Sequence, residues 1–256
     1  MKGVIGILSA VAALAACTSV SGPDQRARVI GSTLTSTVQL FDLREGNTQR
    51  AGSGIVLGRA AGGNDTLILT TRHFLEPLTE HTILVVDPLR RKKEKARIVA
   101  VSDKTDLAIV AVSGLTLTPV SFKGEARLGD PVWVVAFPWG RRRTVVSGVV
   151  SQIAWSEKDP DAVPITGPVK LIDAAVSYGT SGGGVYDAND GTLLGIVRSY
   201  RSAELALPGS DEPVLKIPVA GETTVVPTPD IYTLLEAQDL GHLIRQGRTP
   251  GRTREQ

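Results

Sequence analysis

The sequence predicts an all-β protein, in which two six-stranded antiparallel β-barrels are followed by a helix near the C-terminal end. Three observations favour this class. Glycine and proline number 27 and 15, and aromatic residues are only 4% of the chain, which is typical of many short strands joined by turns. Strand-like runs recur at close intervals along most of the 256 residues. Helical spacing is found only in one stretch near the end.

The first barrel is predicted between residues 29 and 118. Its break AGGND, at residues 61–65, contains residues that tolerate the positive φ angles of a hairpin turn. Short runs rich in β-branched and apolar residues lie on both sides of this break. The six predicted strands are Thr37 to Phe41, Gly54 to Leu57, Thr66 to Thr70, Thr82 to Val86, Ala96 to Val101 and Leu107 to Val112.

The second barrel and the helix are predicted between residues 119 and 247. The break DANDG, at residues 187–191, again supplies turn residues. The six predicted strands are Pro131 to Phe137, Thr144 to Ile153, Val169 to Ile172, Gly184 to Tyr186, Leu193 to Val197 and Val214 to Ile217. Pro229 and Asp230 form a good helix start, and the apolar residues after them should dock as one stripe on the second barrel.

Residues 1–16 are predicted to be a lipoprotein signal peptide. Lys2 precedes an apolar run, Val4 to Ala16, that is too short to span a bilayer comfortably. The run leads into LAAC, which resembles the bacterial lipobox, and Cys17 is the only cysteine of the chain. An exported protein with one cysteine has no internal disulfide, so this thiol is available for lipidation. An ordinary signal peptide with a chance cysteine is the alternative.

A lipid anchor at Cys17 would attach the mature protein to a membrane of the bacterial cell envelope. Thr18, and not aspartate, follows the cysteine, which favours the periplasmic face of the outer membrane. Residues 17–28 are expected to form a polar linker, and residues 248–256 a disordered tail, because they have almost nothing to bury. The formal charge of +2 is too even to indicate a nucleic-acid partner.

The strongest chemical motif is the glycine-rich segment DAAVSYGTSGGGV, residues 173–185. Its glycines allow a sharp turn that exposes the hydroxyl of Ser181 and aims successive backbone N–H groups into one hollow. A tetrahedral oxyanion requires such a hollow, and for a serine nucleophile the donors would be the N–H groups of Gly179 and Ser181. A plain glycine-rich turn is the alternative interpretation.

A nucleophilic serine needs a base, and the chain contains three histidines. His73 ends a β-run, where its side chain can point out of a barrel rim. His81 lies in a polar turn and His242 on the terminal helix, so a solvated side chain is the simpler interpretation of both. The base also needs a carboxylate to hold its tautomer. Asp106 immediately precedes an apolar strand and can be partly buried, whereas Asp103 lies in the preceding turn.

These segments together resemble the trypsin/chymotrypsin-like serine proteases, most closely their bacterial HtrA/Deg branch. The matching stretches follow the order of that family: GSGIVL (52–57), LTTRHFL (69–75), DLAIVAV (106–112), FPWG (137–140), VVSGVVS (145–151), DAAVSYGTSGG (173–183) and GTLLGIV (191–197). The resemblance implies that His73 is the general base, Asp106 its orienting partner and Ser181 the nucleophile, in a cleft between two barrels. It also implies protein or peptide substrates, and neither a metal nor an organic cofactor.

The chain departs from this family at several points. Thr180 stands where the family usually has asparagine or aspartate, and the segment from Arg201 to Gly221 is interpreted as an insertion beside the substrate cleft. We do not expect the C-terminal PDZ domains that are common in the HtrA/Deg branch. The stretch beyond Pro229 has about 25 residues, which is fewer than an independent domain needs.

By the same resemblance, the S1 specificity pocket involves Ala175, Arg198, Ser199 and Tyr200. Ala175 stands where relatives that cut after lysine or arginine carry an acid, so a cationic P1 side chain would lack a counter-charge. Arg198 and Tyr200 differ from the open pocket walls of digestive relatives, which disfavours bulky aromatic P1 groups. We therefore expect cleavage after small or medium aliphatic residues. Arg198 facing an acidic P1 or P3 group is the alternative.

Two other functions stay open from the sequence. An exported esterase of the α/β-hydrolase type is one, because GTSGG also fits its G-x-S-x-G pattern. Those enzymes have the chain order serine, acid, histidine and alternate strands with helices, and this sequence has neither property. A catalytically silent protease fold, kept as a binding or scaffold lipoprotein, is the other, because a fold does not by itself establish a function.

Overall fold

The computed structural model describes residues 23–44, 49–79, 82–87, 91–154, 164–206 and 213–246. Two closed barrels of six antiparallel strands make up most of this part of the chain. The predicted all-β fold is therefore confirmed, and to within one residue every predicted run lies inside an observed strand. The predictions for the signal peptide, Cys17, His81 and residues 248–256 fall outside the described residues.

The first barrel follows an N-terminal helix, α1 (Pro23–Thr35). Its strands are β1 (Thr37–Leu43), β2 (Gln49–Arg59), β3 (Asp65–Thr70), β4 (Thr82–Val86), β5 (Lys93–Val101) and β6 (Ala108–Ser113), with a short helix α2 (Arg72–Leu75) after β3. The strand order is β1-β2-β3-β6-β5-β4, and pairing of β4 with β1 closes the barrel. Alternate side chains point inward, and Leu40, Ile68 and Val110 are fully buried in its core.

The second barrel begins after a small strand, β7 (Ala126–Arg127). Its strands are β8 (Pro131–Ala136), β9 (Thr144–Ile153), β11 (Val169–Asp173), β12 (Gly184–Asp187), β13 (Leu193–Ala206) and β14 (Pro213–Pro227), while β10 (Thr166–Gly167) pairs with β7. The order is β11-β14-β13-β12-β8-β9, and β9 pairs with β11 to close the barrel. Val134, Ile172 and Leu194 belong to its buried core.

The predicted C-terminal helix is confirmed and consists of α3 (Thr228–Ala237) and α4 (His242–Gln246). Helix α3 contacts β13 and β14 of the second barrel, and α4 contacts β2 of the first. One apolar cluster joins Leu57 and Leu67, Leu193 and Ile196, and Leu235 of α3. The two barrels thus share a packed core, which fixes the cleft between them. No helix within the ranges given above has the length and apolarity that a membrane-spanning segment needs.

Helix α1 corrects the sequence prediction, which places a polar linker at residues 17–28 and expects helix only near the C-terminal end. The helix begins at Pro23. Glycine, serine and threonine in its second half have low helix propensity, and of its described side chains only Val29 and Thr33 are buried. This apolar stripe is too narrow to recognise from periodicity. Val29 and Thr33 instead lie against the turn at Gly191 in the second barrel.

The segment from Arg201 to Gly221 is a continuation of the β13–β14 hairpin. Ser202 pairs with Pro218 and Ala203 with Ile217, with register shifts on the β13 side after Val197 and Tyr200. The two strands are therefore longer than the predicted runs that they contain. The hairpin leaves the barrel at Tyr200, which is also the last residue of β13 that lines the cleft described below.

Candidate active site

His73 and Asp106 are brought together by the pairing of β3 with β6. Thr70 at the end of β3 lies opposite Ala108 at the start of β6, so α2 and the turn before β6 meet at one rim of the first barrel. The Nδ1 atom of His73 lies 2.7 Å from Oδ2 of Asp106, and the backbone N–H of His73 donates to Oδ1 at 2.9 Å. This two-point contact fixes the ring and leaves Nε2 as the ring nitrogen available to a reactant.

The carboxyl group of Asp106 is held in its ionised form. Burial works to raise the pKa of Asp106, but the hydrogen bonds from the His73 ring and backbone, with the nearby charges of His73 and Arg198, outweigh burial and lower it. Nε of Arg198 lies 3.6 Å from Oδ2 of Asp106. The ionised carboxylate can therefore hold one tautomer of His73 and stabilise its protonated form.

Ser181 lies in a tight turn between β11 and β12. Thr180 N–H donates to the carbonyl of Ser177 at 3.1 Å, and Gly183 N–H donates to the carbonyl of Thr180 at 2.8 Å. Gly182 has a φ angle of +80° and packs so closely on the first barrel that a Cβ atom would lie 2.1 Å from the carbonyl oxygen of Ser53. Only glycine satisfies both conditions. The turn therefore depends on contact with the first barrel.

Thr180 has a structural role in this turn that the sequence comparison left undefined. Its side chain is buried, and its hydroxyl accepts a hydrogen bond from the Ser177 N–H at 2.9 Å. The same hydroxyl donates to the Ser177 carbonyl. Threonine thus closes the turn from inside through Ser177. The departure from asparagine or aspartate leaves the backbone of the turn fully supported.

The peptide between Tyr178 and Gly179 is oriented by the segment that follows β8. The backbone N–H of Trp139 donates to the Tyr178 carbonyl at 2.7 Å. Because the N–H and C=O of a trans peptide point in opposite directions, the Gly179 N–H points away from this contact. Trp139 has an unusual φ of +56° for a residue other than glycine, and its ring packs on that of Tyr178 with centroids 5.4 Å apart.

The peptide between Thr180 and Ser181 is oriented in the same way, since its carbonyl accepts from Gly183 N–H. Within the described residues, neither the Gly179 N–H nor the Ser181 N–H donates a hydrogen bond to another protein group. Both residues line the same cleft. Two free backbone donors beside a serine hydroxyl are what a developing oxyanion requires.

Ser53, in β2 of the first barrel, links the barrels at this point, and the sequence analysis did not single it out. Its buried hydroxyl accepts from the Phe137 N–H at 2.9 Å and donates to the Gly179 carbonyl at 3.0 Å. Its backbone N–H donates to the Ser181 carbonyl at 3.0 Å, and its carbonyl accepts from the Thr70 hydroxyl. A small polar residue between two glycines in a buried strand was the only sequence signal.

One cleft of about 380 Å³ contains the candidate residues. Its lining residues are Arg50, Ala51, His73, Phe74, Tyr178, Gly179, Ser181, Arg198, Ser199 and Tyr200. His73 and Ser181, which are far apart in the chain, therefore face the same space, with Asp106 behind His73. The arrangement offers a base, a hydroxyl and free N–H donors around one position.

Ala175 is not among the residues that line this cleft. Ala174 and Val176 are buried while Ala175 is exposed, so the alternation of an extended segment turns Ala175 away from the core. His242 is also placed elsewhere, since its Nε2 lies 3.4 Å from the Arg59 carbonyl. Asp103 is almost fully exposed and contacts Arg72.

A metal centre is not evident in the described ranges. No group of three or more His, Cys, Asp or Glu side chains there is arranged to hold an ion. The polar groups around Ser181 are instead backbone donors and one histidine, which suit proton transfer and anion stabilisation.

Comparison with protein families gives a match to the model of the "Trypsin-like peptidase domain" over residues 52–196. Two curated bacterial proteins are similar over the same region. The "Probable periplasmic serine protease do/HhoA-like" of Haemophilus influenzae is 29% identical over 153 residues, which is 59% of this chain and 31% of that protein. The "Probable periplasmic serine endoprotease DegP-like" of Pseudomonas putida is 28% identical over 155 residues, 60% of this chain and 30% of that one.

This chain therefore spans about a third of the length of the curated relatives that it matches. Among solved structures, the active form of the Rv3671c protease from M. tuberculosis superposes with a TM-score of 0.60 at 24% identity, covering 81% of this chain and 82% of that one. At this identity the likeness establishes a shared fold.

Proposed function

Because this chain belongs to the family of trypsin-like peptidase domains, we propose that it is a serine endopeptidase of the HtrA/Deg type. One observation carries the proposal. The His73–Asp106 pair, the hydroxyl of Ser181 and two unoccupied N–H donors meet at one cleft. Function depends on such a site and not on the fold that holds it.

In the proposed first half-reaction, Ser181 attacks the carbonyl carbon of the scissile peptide bond. Nε2 of His73 takes the proton from Oγ as the new C–O bond forms, and Asp106 stabilises the imidazolium. The negative charge moves to the carbonyl oxygen, which accepts hydrogen bonds from the N–H groups of Gly179 and Ser181. His73 then gives its proton to the amine of the leaving peptide as the C–N bond breaks, and an acyl-enzyme remains.

In the second half-reaction, water replaces the departed amine. His73 takes a proton from the water as it attacks the ester carbonyl of the acyl-enzyme, and the same N–H donors hold the new oxyanion. The C–O bond to Ser181 breaks, and His73 returns the proton to Oγ. The product is a carboxylic acid, and the free enzyme is restored.

Labelling with a fluorophosphonate, which reacts with activated serines, tests the proposal. We expect one adduct at Ser181 in the wild-type protein and none in Ser181→Ala. A protein that is never labelled and cleaves no peptide would instead be a silent binding or scaffold protein. Preferential cleavage of simple esters, with no peptide hydrolysis, would favour an esterase.

Replacing Ser53 by alanine is expected to weaken both the fold and the proposed catalysis. The change leaves the Phe137 N–H and the Gly179 carbonyl without their buried partner, which should lower the free energy of unfolding by about 2 kcal/mol. Misplacement of the N–H donors should reduce kcat by about tenfold to a hundredfold, with a smaller change in KM. Urea unfolding and peptide hydrolysis measure the two effects. Ser151→Ala, at an exposed serine of β9, is the control, and equal behaviour of both variants contradicts the role.

We propose that small or medium aliphatic residues occupy P1. No carboxylate lines the cleft in the described part of the chain, so a lysine or arginine at P1 would lose hydration without a counter-charge. Ser199 and the half-buried ring of Tyr200 leave room for limited apolar burial, which contributes about 1 to 3 kcal/mol per side chain. Profiling on a mixed peptide library is expected to show Val, Ala or Ile at P1. A dominant Lys, Arg or Phe would contradict this expectation.

We also propose that the mature chain begins at Cys17 and carries lipid there, on the periplasmic face of the outer membrane. The lipobox-like sequence and the single cysteine support this, and the names of both curated relatives contain the word periplasmic. Mass spectrometry of the mature N-terminus should find a diacylglyceryl-modified Cys17. An unmodified cysteine or cleavage at another residue would refute the anchor.

A further inference from the structure

The edge of β13 becomes free at the point where it passes Ser181. On one side, β13 pairs with β12 from Leu193 to Ile196, and Val197 exchanges hydrogen bonds with Gly182 and Gly183. From Arg198 onward, only β14 pairs with β13 within the described residues. An extended peptide can therefore continue the sheet along this edge. Such a peptide passes directly beside the side chain of Arg198.

The guanidinium group of Arg198 is only loosely engaged. The side chain is 56% exposed, and its single charged neighbour in the described structure is Asp106, whose Oδ2 lies 3.6 Å from Nε. That distance is too long for a hydrogen bond. The terminal nitrogens have no hydrogen-bond partner among the described residues. A planar guanidinium with free N–H groups suits bidentate binding of a carboxylate.

Asp106 does not depend on Arg198 for its hydrogen bonds. Both carboxylate oxygens already accept from His73, one from the backbone N–H and one from the ring. Arg198 can therefore leave Asp106 without disturbing the hydrogen bonds of the His73–Asp106 pair.

The remainder of the cleft has the same sign of charge. Arg50 lines it too and donates to the Glu76 carbonyl at 2.7 Å, but it has no carboxylate partner in the described residues. Aspartate and glutamate are absent from the described lining. A cleft with two arginines and no acid attracts anionic groups.

Resting on the proposed function, we propose that the cleft selects peptide substrates with an acidic side chain at P2, and that Arg198 binds that carboxylate. Successive side chains of an extended peptide point to opposite sides. When the P1 side chain points away from His73, the P2 side chain points toward it, where Arg198 lies beside Asp106. On binding, the guanidinium moves from Asp106 to the substrate carboxylate.

Binding to the Ser181→Ala variant tests the proposal independently of turnover. The probes are two fluorescein-labelled octapeptides with valine at P1 and either glutamate or glutamine at P2. We expect the glutamate peptide to bind about tenfold more tightly, as a partly exposed charged hydrogen bond allows. Adding Arg198→Gln should bring the ratio of the two affinities close to one, and Arg198→Lys should keep part of it.

Arg201→Gln is the matched control, because Arg201 is three residues further along β13 and pairs with Glu222 at 3.1 Å. It should keep the full preference for glutamate. Equal binding of the two peptides, an unchanged ratio in Arg198→Gln, or an equal loss in Arg201→Gln would each overturn the proposal. Failure of the proposed function looks different, since the wild-type protein would then cleave neither peptide and escape fluorophosphonate labelling, while the binding ratio would persist in Ser181→Ala.

Discussion

Ser181→Ala is expected to reduce peptide turnover by on the order of a millionfold, because it removes the nucleophile of a unit whose members act together. The fold should be retained. The backbone carbonyl of residue 181 still accepts from Ser53 N–H, and alanine fits wherever the smaller part of serine fits. Hydrolysis of a quenched fluorescent peptide measures the loss, and circular dichroism with thermal unfolding measures the fold.

Ser147→Ala provides the comparison for this experiment, since Ser147 is an exposed serine of β9 outside the cleft. It should behave as wild type. Turnover by Ser181→Ala within a factor of about ten of the wild-type rate would show that another group is the nucleophile, because a working triad contributes far more than that.

Asp106→Asn is expected to lower kcat by about ten-thousandfold with little change in structure. Asparagine has the shape of aspartate, but it can present an N–H₂ group to Nδ1 of His73 where the carboxylate accepts. His73 would then carry its proton on Nε2, which is the nitrogen that must take the proton from Ser181. Peptide hydrolysis at neutral pH measures the effect. Asp103→Asn, at the almost fully exposed neighbouring aspartate, should stay within about twofold of wild type.

The same pair of proteins gives a pH test of the Asp106 environment. Its pKa is lowered in the folded protein, so the ionised carboxylate stabilises the fold above its unfolded pKa of about 3.9. That contribution is lost as the pH falls through the lowered folded pKa. The stability advantage of wild type over Asp106→Asn should therefore shrink below about pH 4. An advantage that grows in acid would show that the assigned direction is wrong.

The sequence by itself determined the two barrels and the short list of reactive side chains. Strand runs such as Thr82 to Val86 and turn signals such as AGGND are local patterns, and a period of two is legible wherever one face of a strand is buried. The order of His73, Asp106 and Ser181 among these runs likewise needs no coordinates. Local chemistry also marked the glycine turn, because only glycine reaches the backbone angles that it needs.

Tertiary structure alone decided how those residues are held. Helix α1 has a thin apolar stripe that gains its stability from packing beside Gly191, so its propensity gave no warning. Ser53 supports the turn around Ser181 from the other barrel, and Arg198 lies against Asp106 although 92 positions separate them in the chain numbering. Ala175, assigned to the pocket by resemblance, faces away from the cleft because its two neighbours are buried. These contacts join residues distant in sequence, and a local pattern carries no information about which distant partner will satisfy a hydroxyl or a charge.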